Sequence, residues 1–114
     1  MIFYHITTPE QWAKFDKVDY LEADSLATEG FIHGSYAEQV DASVRLYFQG
    51  CERVLILKID PTLLTAKLVI ETSRNGDLFP HIYGQLNKSA IVEIENRVVV
   101  SAGYKSKIGY NEEW

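Results

Sequence analysis

"RVLILKI", residues 53–59, is the stretch on which the fold turns. Its apolar run is nearly continuous and rich in aliphatic side chains, which predicts a strand at the centre of a sheet. Gly50, just before it, marks the end of a helix. "DPTLL" at 60–64 marks a turn after it. Working outward, "AKLVIET" (66–72) predicts a second strand and "SRNGD" (73–77) a loop. "SAIVEIENRVVVSAGY" (89–104) holds two strand-like runs around Asn96 and Arg97, the pattern of a hairpin. The tail "KSKIGYNEEW" (105–114) predicts an irregular segment laid on the surface.

Toward the N-terminus, Ile2 to Ile6 form a β-branched and aromatic run that predicts a strand. Thr8, Pro9 and Gln11 then supply a cap, a first-turn proline and a capping-box partner for a short helix reaching about Phe15. That helix presents Trp12 and Phe15 on one face. Residues 16–30 have no clean period and read as a loop with a brief helical turn, closed by Gly30. "FIHGS" (31–35) is a short strand. Ser35 and Glu38 have capping-box spacing for a helix from Tyr36 to about Phe48, with Val40, Val44, Tyr47 and Phe48 as its apolar stripe. Two short helices come early and most strands late. The expected fold is therefore a single α+β domain with a mixed or antiparallel sheet.

The chain has 114 residues, 46% of them hydrophobic and 24% charged, the proportions of a soluble globular domain. Sixteen acidic against eleven basic residues give a net charge of -5, which argues against general nucleic-acid binding. A pocket for a single nucleotide stays open. The lone cysteine, Cys51, fits a reducing cytoplasm and a small half-buried position at a helix end. "MIFYHITTPEQW" lacks the basic start and apolar run of a signal peptide, and no stretch approaches the ~20 apolar residues of a membrane span.

Three histidines, and no more, occur in the chain. His5 in "FYHIT", His33 in "GFIHGS" and His81 in "LFPHIYG" all have aromatic or aliphatic neighbours. Strand alternation places His5 with Phe3 and Thr7, His33 with Phe31 and Ser35, and His81 with Phe79 and Tyr83. Imidazoles and hydroxyls suit ribose or phosphate, and aromatic rings suit a base. The expectation is one cleft lined by His5, His33, His81, Ser35 and Tyr83. It would take a small nucleotide or a phosphorylated metabolite, with His81 as a group able to move protons. Three other readings compete. Each histidine alone is accounted for by a structural role in a core. "HIT" (5–7) and "HGS" (33–35) resemble the paired motifs of two-histidine phosphoesterases, separated here by only 28 residues. A metal would require all three histidines to converge, since no pair has local ligand spacing, and none is expected. Glu71 and Asp77 are the acidic candidates, and Arg45 is a candidate for phosphate.

"YHIT", "DSLATEGFIHGS", "EQV", "VLILKIDP" and "DLFPHIYGQLN", in this order, resemble the domain-of-unknown-function 952 family over about Ile2 to Glu95. Residues 96–114 extend beyond the shared part. Relatives carry Cys at the position of Gly34 and Pro at that of Gln85, so the resemblance implies no thiol chemistry at position 34. It also implies an ADP-ribosyltransferase-like fold, a small split sheet whose cleft holds NAD in the true enzymes. On that resemblance His5 matches the residue that holds the adenosine ribose. Phe31 or His33 matches the aromatic that stacks on nicotinamide. Glu71 and His81 are the nearest counterparts of the catalytic group. The ligand set implied is then His5, Thr7, Phe31, His33, Ser35 and Tyr83 around an NAD-like nucleotide. A non-catalytic module that binds protein or peptide is the alternative.

Overall fold

The computed structural model describes residues 1–99. In chain order it contains β1 (Phe3–Thr7), α1 (Pro9–Ala13), β2 (Tyr20–Leu21), α2 (Asp24–Glu29), β3 (Ile32–His33), α3 (Val40–Tyr47), β4 (Arg53–Ile59), β5 (Lys67–Thr72), β6 (Leu78–Tyr83), β7 (Leu86–Asn87) and β8 (Ile91–Val98). Short 3-10 turns at Ala37–Gln39, Pro61–Leu63 and Lys88–Ala90 join some of them. The strands form two three-stranded sheets, β1-β4-β8 and β3-β6-β5, and the small ladder β2-β7. The architecture is α+β, as expected, and every strand pairing among the described residues is antiparallel.

"RVLILKI" is indeed a central strand. Val54 and Ile56 point to one side, where α3 lays Val40 and Val44 beside Ile6 of β1. Leu55, Leu57 and Ile59 point to the other, where they meet Phe3, Ile32, Ile82 and Leu86. The run is continuous in apolar residues because β4 is covered on both faces, although its partners are antiparallel. The order of layers is therefore α3, then β1-β4-β8, then β3-β6-β5. Phe3, Ile32, Leu57, Ile59 and Ile82 are completely buried between the two sheets. Each such side chain contributes about 1.5–3 kcal/mol by leaving water.

Thr8 caps α1 through its hydroxyl, which accepts from the Gln11 N–H at 3.1 Å, as the spacing predicts. Trp12 and Phe15 both lie against the core. Lys88 reaches back to donate to the carbonyl of Phe15 and stands over the Trp12 ring at 5.0 Å. The cap expected of Ser35 and Glu38 is shifted by one residue. The Gln39 side chain accepts from the Tyr36 N–H at 2.9 Å, and a 3-10 turn precedes α3. Ser35 is not available as a cap, because its backbone pairs with Tyr4 and its hydroxyl bonds Ser43 of α3 at 3.1 Å. Residues 16–30 are also more ordered than their composition indicates. They form β2 and a third helix, α2, which Gly30 ends with φ at +91°. The expected hairpin around Asn96 and Arg97 is instead one unbroken strand, since Asn96 pairs with Leu55 and Arg97 with Val54. Its remainder and the tail lie outside the described residues.

The two large sheets are joined at residues 33–35. Ser35 exchanges two backbone bonds of 2.7 Å with Tyr4, and the Gly34 N–H donates to the Pro80 carbonyl at 2.9 Å. One segment thus pairs with β6 on one side and with β1 on the other. A Cβ at Gly34 would stand 2.7 Å from the Pro80 oxygen and 2.9 Å from the Phe3 ring. Neither neighbour gives easily, the first being backbone and the second a completely buried ring. Beneath this crossing His5 lies buried and donates from Nδ1 to the His33 carbonyl at 2.7 Å. That bond fixes the neutral tautomer.

Two outcomes follow from the crossing. Gly34→Ala is expected to lose about 1–3 kcal/mol in chemical denaturation, the usual cost of overpacking; an unchanged midpoint would show that the seam yields. Burial holds the His5 imidazole below its ordinary value of 6.5, with its bond to the His33 carbonyl acting in the opposite direction. The unfolded chain therefore takes up a proton that the folded chain refuses, so His5 favours folding above 6.5 and opposes it increasingly below. Stability is expected to fall from pH 6.5 downward, by up to about 1.4 kcal/mol per pH unit from this group. His5→Asn, whose amide replaces the Nδ1 donor without titrating, should flatten that slope in denaturant midpoints measured at successive pH values.

Candidate functional site

Alternation along β6 buries Pro80 and Ile82 and turns Phe79, His81 and Tyr83 to the outer face of the sheet β3-β6-β5. Register then decides which residues join them. His33 of β3 lies opposite His81, and Val69 of β5 lies opposite it on the other side. Lys67 lies opposite Tyr83, and Glu71 opposite Phe79. Phe31, just before β3, falls on the same outer face as His33.

On this face the side chains form one connected cluster. Glu71 Oε1 accepts from Nδ1 of His81 at 2.7 Å and from the Tyr83 hydroxyl at 2.7 Å. The Phe31 ring stacks on His81, with centroids 4.0 Å apart and planes 15° from parallel. It meets His33 edge-on at 4.9 Å and Tyr83 at 5.4 Å. The two imidazoles stand 5.3 Å apart at 88°. Glu29, at the end of α2, approaches Nε2 of His33 at 3.4 Å. The cluster is graded in exposure. The His81 side chain is 15% exposed, Glu71 38% and His33 55%, so His81 is the sheltered centre and His33 the rim.

The bonds set the charge states. The hydrogen bond from His81 first, and that from Tyr83 second, hold the Glu71 carboxyl below its ordinary value of 4.5. Glu71 is thus a carboxylate at neutral pH and takes up a proton only below 4.5. The same carboxylate raises the Tyr83 phenol above 10.0, so this hydroxyl stays protonated and keeps donating. With Nδ1 donating to Glu71, neutral His81 carries its lone pair on Nε2, which has no hydrogen-bond partner among the described residues. A carboxylate that orients an imidazole and leaves its far nitrogen basic is the arrangement of a general base.

The histidine site expected from the sequence is therefore divided. Phe31, His33, Glu71, His81 and Tyr83 come together. His5, Thr7 and Ser35 do not, since all three are buried, His5 and Thr7 on β1 and Ser35 against Tyr4 and Ser43. The reason is alternation on the wrong sheet: β1 belongs to the inner layer, so its 3-5-7 face looks into the core. His5 touches the site only through its bond to the His33 backbone. Asp77 sits exposed in the turn between β5 and β6, where its carbonyl accepts from Ser73. Arg45 lines a separate groove of about 240 Å³ with Asp41, Val44 and Arg97, and a wide depression of about 670 Å³ lies near Phe15 and Tyr20. Neither of these concavities includes a histidine. Cys51 is a half-buried residue in the turn after α3. No three His, Cys, Asp or Glu side chains are placed to hold a metal ion among the described residues, and no described helix is long and apolar enough to cross a membrane. Glu29 escaped the sequence reading because its segment was read as loop; only the helix end at Gly30 brings its carboxylate beside β3.

A protein from Caulobacter crescentus, CC0527, has a similar structure. Its crystal form is 27% identical, with a TM-score of 0.77 over 84% of this chain and 85% of that one. Its solution structure is 27% identical, with a TM-score of 0.70 over 82% of each chain. No curated protein matches the sequence. The family model described as protein of unknown function (DUF952) matches residues 6–94, which include β3, β5, β6 and every member of the outer-face cluster, and the chain belongs to that family.

Proposed function

We propose that the outer face of β3-β6-β5 binds a small nucleotide or phosphorylated metabolite of the NAD or ADP-ribose kind, with His81 as the group that moves a proton. The observation that carries this reading is the single carboxylate oxygen of Glu71 shared by His81 and Tyr83. One strand, β6, supplies both donors and β5 the accepting carboxylate, and Phe31, just before β3, stacks on the imidazole. A half-exposed ion pair contributes little to stability. Holding an imidazole by Nδ1 and leaving Nε2 without a hydrogen-bond partner among the described residues is more useful to a ligand than to the fold. Phe31 and Tyr83 present flat apolar surface for a base or pyridine ring. The resemblance to ADP-ribosyltransferases agrees with an NAD-like ligand, but its ribose-holding position falls on buried His5. Transferase or hydrolase chemistry would have to begin at His81 and Glu71.

The test is thermal unfolding with NAD, ADP-ribose and AMP. Ligand held only by the native state raises stability, by about 2.7 kcal/mol at a hundred times Kd. The wild-type Tm is expected to rise with at least one of these ligands, and the rise to vanish in His81→Ala and Phe31→Ala. His81→Ala itself should lose about 1 kcal/mol or less, as substitutions outside the core do, since Tyr83 still satisfies Glu71. Ile82→Ala, its completely buried neighbour, should lose about 2–5 kcal/mol. If no nucleotide shifts Tm, or if His81→Ala binds as wild type does, the reading fails and a surface for protein or peptide takes its place.

A further inference from the structure

The outer face holds two imidazoles, and the reading above uses one. His33 stands 5.3 Å from His81, nearly perpendicular to it, and the same phenyl ring of Phe31 contacts both. Their settings differ. His81 is sheltered and tied through Nδ1 to a carboxylate. His33 is more than half exposed, and its Nε2 has Glu29 at 3.4 Å, the length of a loose ion pair when the ring is protonated. One ring is built to accept a proton at Nε2. The other stands at the rim, open to solvent.

We propose that His81 and His33 act as a general base and general acid on one bond, and that the bond is a phosphodiester of a small nucleotide. The proposal rests on nucleotide binding at this face. The second imidazole chooses the bond. Cleaving nicotinamide from NAD releases a neutral ring from a cation, and that leaving group needs no proton. An alkoxide leaving a phosphodiester does need one. Nε2 of His81 takes the proton of a ribose 2′-hydroxyl, or of water, as that oxygen forms its bond to phosphorus. The bond from phosphorus to the leaving oxygen breaks, its electron pair stays on that oxygen, and the His33 imidazolium protonates it. The products are a cyclic phosphate, or a monoester when water attacks, and an alcohol. Solvent then returns each ring to its starting state, so no metal or redox partner enters the balance. Glu71 is a positioning residue whose carboxylate offsets the charge His81 acquires. Lys67, opposite Tyr83 on the same face, is the nearby fixed cation for the phosphate oxygens.

The test compares two substrates. Uridylyl-3′,5′-adenosine has an alkoxide leaving group that needs an acid; the p-nitrophenyl ester of uridine 3′-phosphate has one that scarcely does. The full-length chain should cleave both, with a bell-shaped pH dependence on the dinucleotide. His81→Ala should lower both rates by about 10²–10⁴-fold, the usual share of one proton-transfer group, and abolish the acidic limb. His33→Ala should lower the dinucleotide rate far more than the aryl ester rate and abolish the alkaline limb. Glu71→Gln should lower kcat with KM unchanged. Equal losses on both substrates in His33→Ala would overturn the acid role. Binding shifts with AMP but no cleavage by wild type above the His81→Ala background would overturn the inference and leave the binding reading intact. Release of nicotinamide from NAD by both wild type and His33→Ala would do the same. No binding of any nucleotide would remove both.

Discussion

The structure depends on the passage of residues 33–35 between two sheets. At this point a two-residue strand leaves β6 and meets β1 within three residues. The backbone is tied by the Gly34 N–H to Pro80, by the Ser35 pair with Tyr4 and by the His5 imidazole to the His33 carbonyl. There is no room for a Cβ at the centre of it. A seam this tight does two things. It closes the core around Phe3, Ile32, Leu57 and Ile82, and it holds the His33 backbone in register with His81.

Chemistry on the outer face follows from register more than from any one residue. Glu71 and His81 are ten positions apart, and only the β5-β6 ladder makes them diagonal neighbours. Phe31 reaches His81 only because β3 adds to the other edge of β6. The middle strand therefore bears the central imidazole, and each flanking strand supplies one means of fixing it. The carboxylate sets its tautomer from one side and the phenyl ring sets its plane from the other.

Burial separates the histidines by role. His5 is enclosed and neutral, and its cost is acid sensitivity of the fold. His81 is sheltered but retains one open nitrogen. His33 is at the rim. All three have similar local sequence, so local sequence does not foretell this ordering. What differs is the layer in which each strand lies: β1 in the inner sheet, β3 and β6 in the outer one.

The sequence by itself determined the strands with strong patterns, the α+β class and the family. "RVLILKI" was legible as a central strand because five apolar side chains in seven positions have no solvent face to occupy. Thr8 and Gln11 were legible as a cap because that bond spans three residues and needs no distant partner. The aromatic company of the histidines was visible too, as were His81 and Glu71 as chemically active candidates. Tertiary structure alone decided the rest. It moved Ser35 from helix cap to sheet junction, since pairing with Tyr4 and Ser43 claims its groups. It turned the expected hairpin into one strand because β4 offered partners along its whole length. It sent His5 into the core and brought Glu29 to the site. Alternation says which residues share a face, but not which face meets water; that is fixed only when the two sheets stack and one side of each is spent on the core.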